Sequence, residues 1–566
     1  MNNQIKQVIG ATVLFVAMAM NVNAQNAAAP SWAAKAQKAI VSVITYDKDN
    51  QMLHSGTGFF VANGEAVADY SLFKEAYSAV VVSMDGQKSN VERILGADDT
   101  YSLVRFKVDS KKNESLEFSA ANPSSEAMVF ALSYSKDKIK TCPSATVSST
   151  KTITDGCPYY TISQAFPEEY MGAPVFNNKG QLIGTVQPSV GSNGYVLGQQ
   201  FIKSLVIKPI ASKVNSIALN NIHIKKGLPD NPEEALVYLY IKSRSADNDT
   251  YLDILDLFIS TYPDNAEGYY RRATPYTDLH RFDEADNDLQ TFLKLSKDKA
   301  YAKSKIADAI YTKLVYQPTP EYEKWSYDVA LQYINDALAE QADNLDYKLL
   351  KTQILMSKKD YASALELYTE INNSTDRSPA TLYAECLARQ GMGDSLSVQV
   401  ELLDSAIAMF GTPMPAEAAN YVMFRGKLYA SAGRYRDAVT DYNQYCYLNN
   451  NKVSDAFYYD RSQLELQGKM YQQSLDDLNT AISLAPRQPL YYIEKGALLI
   501  RVNELDECIT TLKQALQLSP NSPDAYRMLG YAQVQKGDKV EGRKNLDKAV
   551  SLGDESAKEV IEKYIK

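Results

Sequence analysis

The chain has 566 residues, more than one compact core can organise, and at roughly 150 residues per domain several domains are expected. Hydrophobic residues at 45%, charged residues at 22% and a mean hydropathy of -0.32 describe a folded globular chain and exclude a disordered or fibrous one. A formal net charge of -9 argues against a nucleic-acid partner, and three histidines argue against a histidine-based metal site; no cofactor and no metal are expected.

Residues Met1 to Ala24 carry an early basic residue, Lys6, and an apolar stretch from Val8 to Met20. That stretch is about 13 residues, short of the roughly 30 Å a membrane-spanning helix must cross. The small residues of Val22-Asn23-Ala24 follow, so a signal peptide cleaved before Gln25 is expected, with a membrane anchor as the alternative. The mature protein is then exported, periplasmic or secreted, with no membrane span. In an oxidising compartment Cys142 and Cys157 are expected to pair, closing a loop worth about 3 kcal/mol; two unpaired thiols are the alternative. Cys386, Cys446 and Cys508 fall in helical stretches and read as packing residues.

From Ser31 to about residue 207 short β-branched runs alternate with turn signals. The runs are Ala39–Ile44, Gly58–Val61, Ala79–Val82 and Leu182–Val186, with Asn63-Gly64, Asp85-Gly86 and Asn178-Lys179-Gly180 among the turns. This pattern predicts an all-β barrel or sandwich. Residues 208–230 read as a linker, closed by turn residues from Gly227 to Pro232.

Beyond Pro232 the period becomes helical and repeats. Tyr458–Pro486 overlays Tyr492–Pro520 at a shift of about 34 residues, matching Leu478 with Leu512, Ala481 with Ala515 and Ser474 with Cys508. An aromatic followed three residues later by alanine recurs at Phe282/Ala285, Tyr361/Ala364 and Tyr435/Ala438. Such pairs share a helix face, and the small member lets a neighbouring helix approach. The stretch resembles the tetratricopeptide repeat: Tyr492, Gly496, Cys508, Leu512, Ala515 and Pro520 fall in order on that family's positions. The resemblance implies an all-α solenoid of eight or nine units over residues 231–555. An insertion is expected around Gln317–Pro320, and residues 556–566 form a capping helix. Tyr269, Tyr270, Tyr458, Tyr459, Tyr491 and Tyr492 lie in first helices. Most are expected to pack between helices, and those facing the groove are candidates to hold a peptide or protein partner.

Ser55-Gly56-Thr57-Gly58-Phe59-Phe60-Val61 resembles the strand before the catalytic histidine of trypsin-like serine proteases of the bacterial Deg type. Asp98–Val108 is similar to the aspartate-bearing strand. Gly172-Ala173-Pro174, with Gly180 and Ile183-Gly184, is similar to the nucleophile loop and its hairpin. The resemblance implies a trypsin-like double barrel over residues 31–207, yet each functional position departs from it. The general-base position reads Ser71, the aspartate position Ser102, the nucleophile position Met171, and the oxyanion-hole glycine Glu169.

A thioether has no proton to give up and forms no acyl-enzyme. A serine at the base position cannot take or return a proton near neutral pH. A glutamate pointing into the oxyanion hole would oppose the developing negative charge. His54 is the one histidine before His223 and lies off the base position. These substitutions describe a pseudoprotease joined to a binding array, an exported scaffold or adaptor. The alternative is an active endopeptidase with unrecognised catalytic residues and substrate-recruiting repeats.

Overall fold

In a computed structural model of the protein, residues 26–565 are described, except 111, 154–155 and 210–212. The signal-peptide expectation for Met1–Ala24 lies outside the described residues. Two compact units follow one another, the first ending at Lys297 and the second starting at Asp298.

The first unit opens with β1 (Asn26–Ala28) and then closes a six-stranded antiparallel barrel. Its strands are β2 (Ile40–Tyr46), β3 (Met52–Ala62), β4 (Glu65–Ala68), β5 (Ser78–Val82), β6 (Lys88–Asp98) and β7 (Leu103–Val108), in the order β2-β3-β4-β7-β6-β5. A second barrel uses β8 (Met128–Ala131), β9 (Thr141–Thr152), β10 (Pro158–Ile162), β11 (Pro174–Phe176), β12 (Leu182–Val190) and β13 (Asn193–Gly198). Its order is β9-β10-β13-β12-β11-β8, a β8–β9 pairing closes it, and β1 is appended to β9. The β-branched runs of the sequence fall in β2, β3, β5 and β12, where alternate side chains turn into the barrels. Phe59, Val67 and Leu103 of the first barrel share a core with Phe130, Phe176 and Leu182 of the second, and the Trp32 ring lies against Phe130 and Phe176.

No disulfide joins Cys142 to Cys157, and both side chains are buried. Cys142 pairs with Ala27 near the start of β9, whereas the Cys157 carbonyl accepts from the amide of Ile153, just past the end of that strand. At roughly 3.3 Å of rise per residue the strand carries them well beyond the ~7 Å between Cα atoms that a disulfide tolerates. Nearness in sequence did not become nearness in space.

The segment after the second barrel is not a free tether. Ala218, Ile222 and Ile224 enter the core of the first barrel beside Val41, Phe73 and Phe106. Lys226 forms a parallel bridge with Ile94, whose amide donates to the Lys225 carbonyl at 2.8 Å. Ile207 and Leu228 pack with Leu239, Leu255 and Phe258 of the first two array helices, Pro232–Lys242 and Asn248–Thr261. Arg93 of β6 makes a bidentate pair with Asp253 at 2.9 and 3.1 Å, and Lys225 reaches the same carboxylate at 2.7 Å. The barrels and the start of the array are thus held by apolar burial and a shared charge.

Among the described residues the array comprises nine helix pairs, two in the first unit and seven in the second, followed by the helix Ser556–Tyr564. The small positions of the repeat fix how closely paired helices approach. A Cβ on Gly496 would stand 2.5 Å from the Leu512 side chain, and the Cys508 thiol donates to the Gly496 carbonyl at 3.4 Å. One repeat earlier the Ser474 hydroxyl donates to the Ser462 carbonyl at 2.9 Å, so the matched pair Ser474 and Cys508 does the same work. The insertion after Tyr316 leaves a long loop before the helix Tyr327–Glu340. The buried Lys313 ties that loop down, donating to the carbonyls of Pro318 and Pro320 at 3.3 and 2.7 Å.

Lys226 gives the joining segment a pH signature. Its ammonium donates to the carbonyls of Ile222 and Ile224, and burial pulls it down from 10.5 to about 8, with Lys242 adding to the effect. Between those values the unfolded chain still holds the proton that the folded chain has released. Stability contributed by this site therefore rises as pH rises through that window. Lys226→Met is expected to abolish the rise, measured as the difference in urea midpoint between native and variant protein at pH 8 and pH 10.

Candidate functional site

The loops carrying Ser71, Ser102 and Met171 converge on one carboxylate. Asp69 follows β4 and caps the short turn Tyr70–Leu72, accepting the Ser71 amide at 2.8 Å. The same oxygen, Oδ1, accepts the Ser71 hydroxyl at 2.5 Å and the Ser102 hydroxyl at 2.9 Å. Asp69 is 6% exposed. Ser102 sits at φ 48 in the β6–β7 turn, where the Asp98 carboxylate accepts the Tyr101 amide at 2.8 Å. Burial raises the Asp98 carboxyl above the usual range. On the other side, Gly172 adopts φ +72 with its backbone against Asp69, and a Cβ there would stand 2.8 Å from the Asp69 Cβ. Only glycine accommodates both that dihedral and that approach.

In this cluster the acceptor is a carboxylate, the donors are two hydroxyls and an amide, and no histidine is among them. His54 projects from β3 to solvent, and among the described residues no hydrogen bond reaches its ring. His223 belongs to the joining segment, stacked on Tyr77 and 3.3 Å from Glu75. The Cys142 thiol is pushed up by burial, away from thiolate reactivity.

The backbone of the nucleophile loop has its own closure. Glu168–Tyr170 forms a tight turn in which the Tyr170 amide donates to Pro167 at 2.9 Å and the Met171 amide to Glu168 at 3.0 Å. An oxyanion hole needs its donors free and aimed at the reacting oxygen. The Met171 amide is bonded to the Glu168 carbonyl. The Glu169 side chain is exposed. Beside this loop a cleft of about 730 Å³ lies between residues 132–141 and Tyr170.

Residues 56–184 match the model of the trypsin-like peptidase domain, and residues 498–537 match that of the TPR repeat. The chain joins a trypsin-like domain to tetratricopeptide repeats. It is similar, at 22% identity over 339 residues, to a DnaJ homolog subfamily C member 7 homolog of Dictyostelium discoideum, covering 57% of this chain and 55% of that protein. A DnaJ protein P58IPK homolog of Arabidopsis thaliana is 23% identical over 340 residues, covering 56% of this chain and 67% of that protein. Among solved structures, the Rv3671c protease from M. tuberculosis shares 17% identity at a TM-score of 0.27, covering 33% of this chain and 91% of that one. The serine endoprotease from Yersinia pestis shares 18% identity at a TM-score of 0.26, covering 30% and 61%.

The repeat tyrosines divide by burial. Tyr491 is 4% exposed, its hydroxyl donating to Asp455 at 2.7 Å and its ring packed on Tyr459, so it is withdrawn from partners. Tyr269 and Tyr492 hold the same repeat position, each donating to the carbonyl six residues earlier, Pro263 at 3.1 Å and Pro486 at 3.0 Å. Tyr458 packs edge-on to Phe457, with the Arg461 guanidinium over its ring; Tyr270 packs on Phe292. Tyr459 is half-buried against Tyr491.

Sequence reading missed a recurrent charge pair. Arg272–Asp288, Arg425–Asp441 and Arg461–Asp477 are each sixteen residues apart and each bidentate, with contacts of 2.6 to 2.9 Å. The third guanidinium nitrogen reaches back to Asp256, Asp404 or Asn443 on the preceding helix. The three recurrent aspartates are buried, and Asp288 and Asp441 hold their arginines above the ordinary arginine value. The spacing of sixteen was present in the sequence, but the burial that makes the pairs matter was not.

Asp69→Ala leaves two hydroxyls and an amide without their acceptor. It is expected to destabilise the protein by about 2–3 kcal/mol, read from urea unfolding.

Proposed function

We propose that the protein is an exported binding scaffold whose trypsin-like domain is catalytically inactive and whose repeats hold a peptide or protein partner. One observation carries the inactivity: the nucleophile position is Met171, whose side chain gives up no proton and whose amide is bonded to Glu168 at 3.0 Å. The Asp69 cluster supports it, because the positions of a proton relay are occupied by hydroxyls bonded to a carboxylate. Export rests on the pattern of Met1–Ala24, with the amino terminus of protein recovered from the cell envelope expected at Gln25.

The full-length protein is expected to remain unlabelled by a fluorophosphonate probe and to leave an unfolded protein substrate intact. Labelling that a single substitution abolishes would establish an active peptidase instead. The triple replacement Ser71→His, Ser102→Asp, Met171→Ser is expected to stay unlabelled too, because it leaves the Met171 amide in its turn. Purified from envelope extract, the full-length protein is expected to carry a stoichiometric protein partner; recovery of the chain alone would end the scaffold reading.

A further inference from the structure

In the second unit a cleft of about 380 Å³ opens between the helices Lys299–Tyr316 and Leu345–Ser357, the first helices of consecutive pairs. Leu349, Leu350 and Tyr301 supply apolar walls, and Asp308 and Asp346 supply carboxylates. Ser304, 6% exposed, and Tyr347, 8% exposed, back the cleft. Asp308 is half-buried, and among the described residues no hydrogen bond or ion pair reaches its carboxylate. Burial raises its carboxyl above the usual range, with Lys305 opposing the shift. Lys305 does not close on it: the ammonium lies over the Tyr301 ring, 5.7 Å from its centre.

Three buried aspartates of the array are met differently, although among the described residues the buried Glu465 also keeps one oxygen without a hydrogen bond. Asp288, Asp441 and Asp477 are each answered by an arginine fork. A half-buried carboxylate without a partner is less favourable than one fully in water, and a cation entering the cleft would offset that cost.

We propose that this cleft receives a lysine or arginine side chain from an extended segment of a partner protein. Its aliphatic stem lies along Leu349 and Leu350, and its cation meets Asp308. Long basic side chains combine an apolar stem with a charged head, which is the pattern of this wall and floor. Asp346 adds attraction at the rim, and the two carboxylates disfavour an acidic segment. The proposal rests on the reading of the repeats as a protein-binding surface and names the chemistry that surface selects.

The test uses the full-length protein and fluorescence anisotropy. The probes are a fluorescein-labelled alternating glycine–lysine peptide and its fully acetylated counterpart, which keeps the stems and loses the charge. The lysine peptide is expected to bind about tenfold or more tighter, the worth of a charge-assisted hydrogen bond. Asp308→Asn is expected to erase most of that preference while melting no lower than the native protein, since it removes an unanswered charge. Equal binding of both peptides, binding of neither, or a preference that survives Asp308→Asn in a folded variant overturns the proposal. The scaffold reading is judged apart from it: a partner that co-purifies equally with native and Asp308→Asn protein sinks the cleft and leaves the scaffold standing.

Discussion

A carboxylate taken out of water has to be met by donors, and around Asp69 three of them come from two separate loops. The Ser71 amide and hydroxyl belong to the turn after β4, and the Ser102 hydroxyl to the β6–β7 turn. The backbone of Gly172 closes the third side from the second barrel. The hydrogen bonds tie two turns of the first barrel to one carboxylate, and the second barrel meets that carboxylate only through the close approach of Gly172. A serine hydroxyl can donate to a carboxylate without itself titrating, so both serines serve the buried Asp69 as donors. Beside it the turn at Glu168–Tyr170 closes on its own carbonyls, with the Tyr170 amide on Pro167 and the Met171 amide on Glu168.

The repeats solve the same problem with arginine. Each recurrent fork spans the two helices of one unit and reaches back to the helix before, so a buried charge becomes a staple between successive layers. Removing one partner of such a pair leaves the other buried and unanswered, which makes the fork intolerant of drift. Asp308 differs from these in place as well as in partner, being half-buried on the first helix of its pair and facing a cleft. The joining segment adds a third use of charge, with Asp253 gathering Arg93 and Lys225 where the barrel meets the first helices.

Much of this was legible in the residues. The switch from period two to period 3.6 near Pro232 located the change from barrels to helices. The matches of Ser474 with Cys508 and of Leu478 with Leu512 carried the repeat register, because small and bulky positions repeat wherever helices touch. What was not readable was Asp69, one residue of an unremarkable Ala68-Asp69-Tyr70 stretch, which becomes the hub only when the turns after β4 and β6 are brought together. The Cys142–Cys157 pairing failed for the converse reason: a short separation in sequence says nothing when an extended strand runs between the two.

The sequence alone determined the kinds of element and the order of the two architectures, because these depend on local period and residue chemistry. Tertiary structure alone decided which acids are answered, which tyrosines are hidden, and that residues after the second barrel return to fill the first. Those outcomes depend on what surrounds a side chain in space, and burial is settled by neighbours that the linear order does not name.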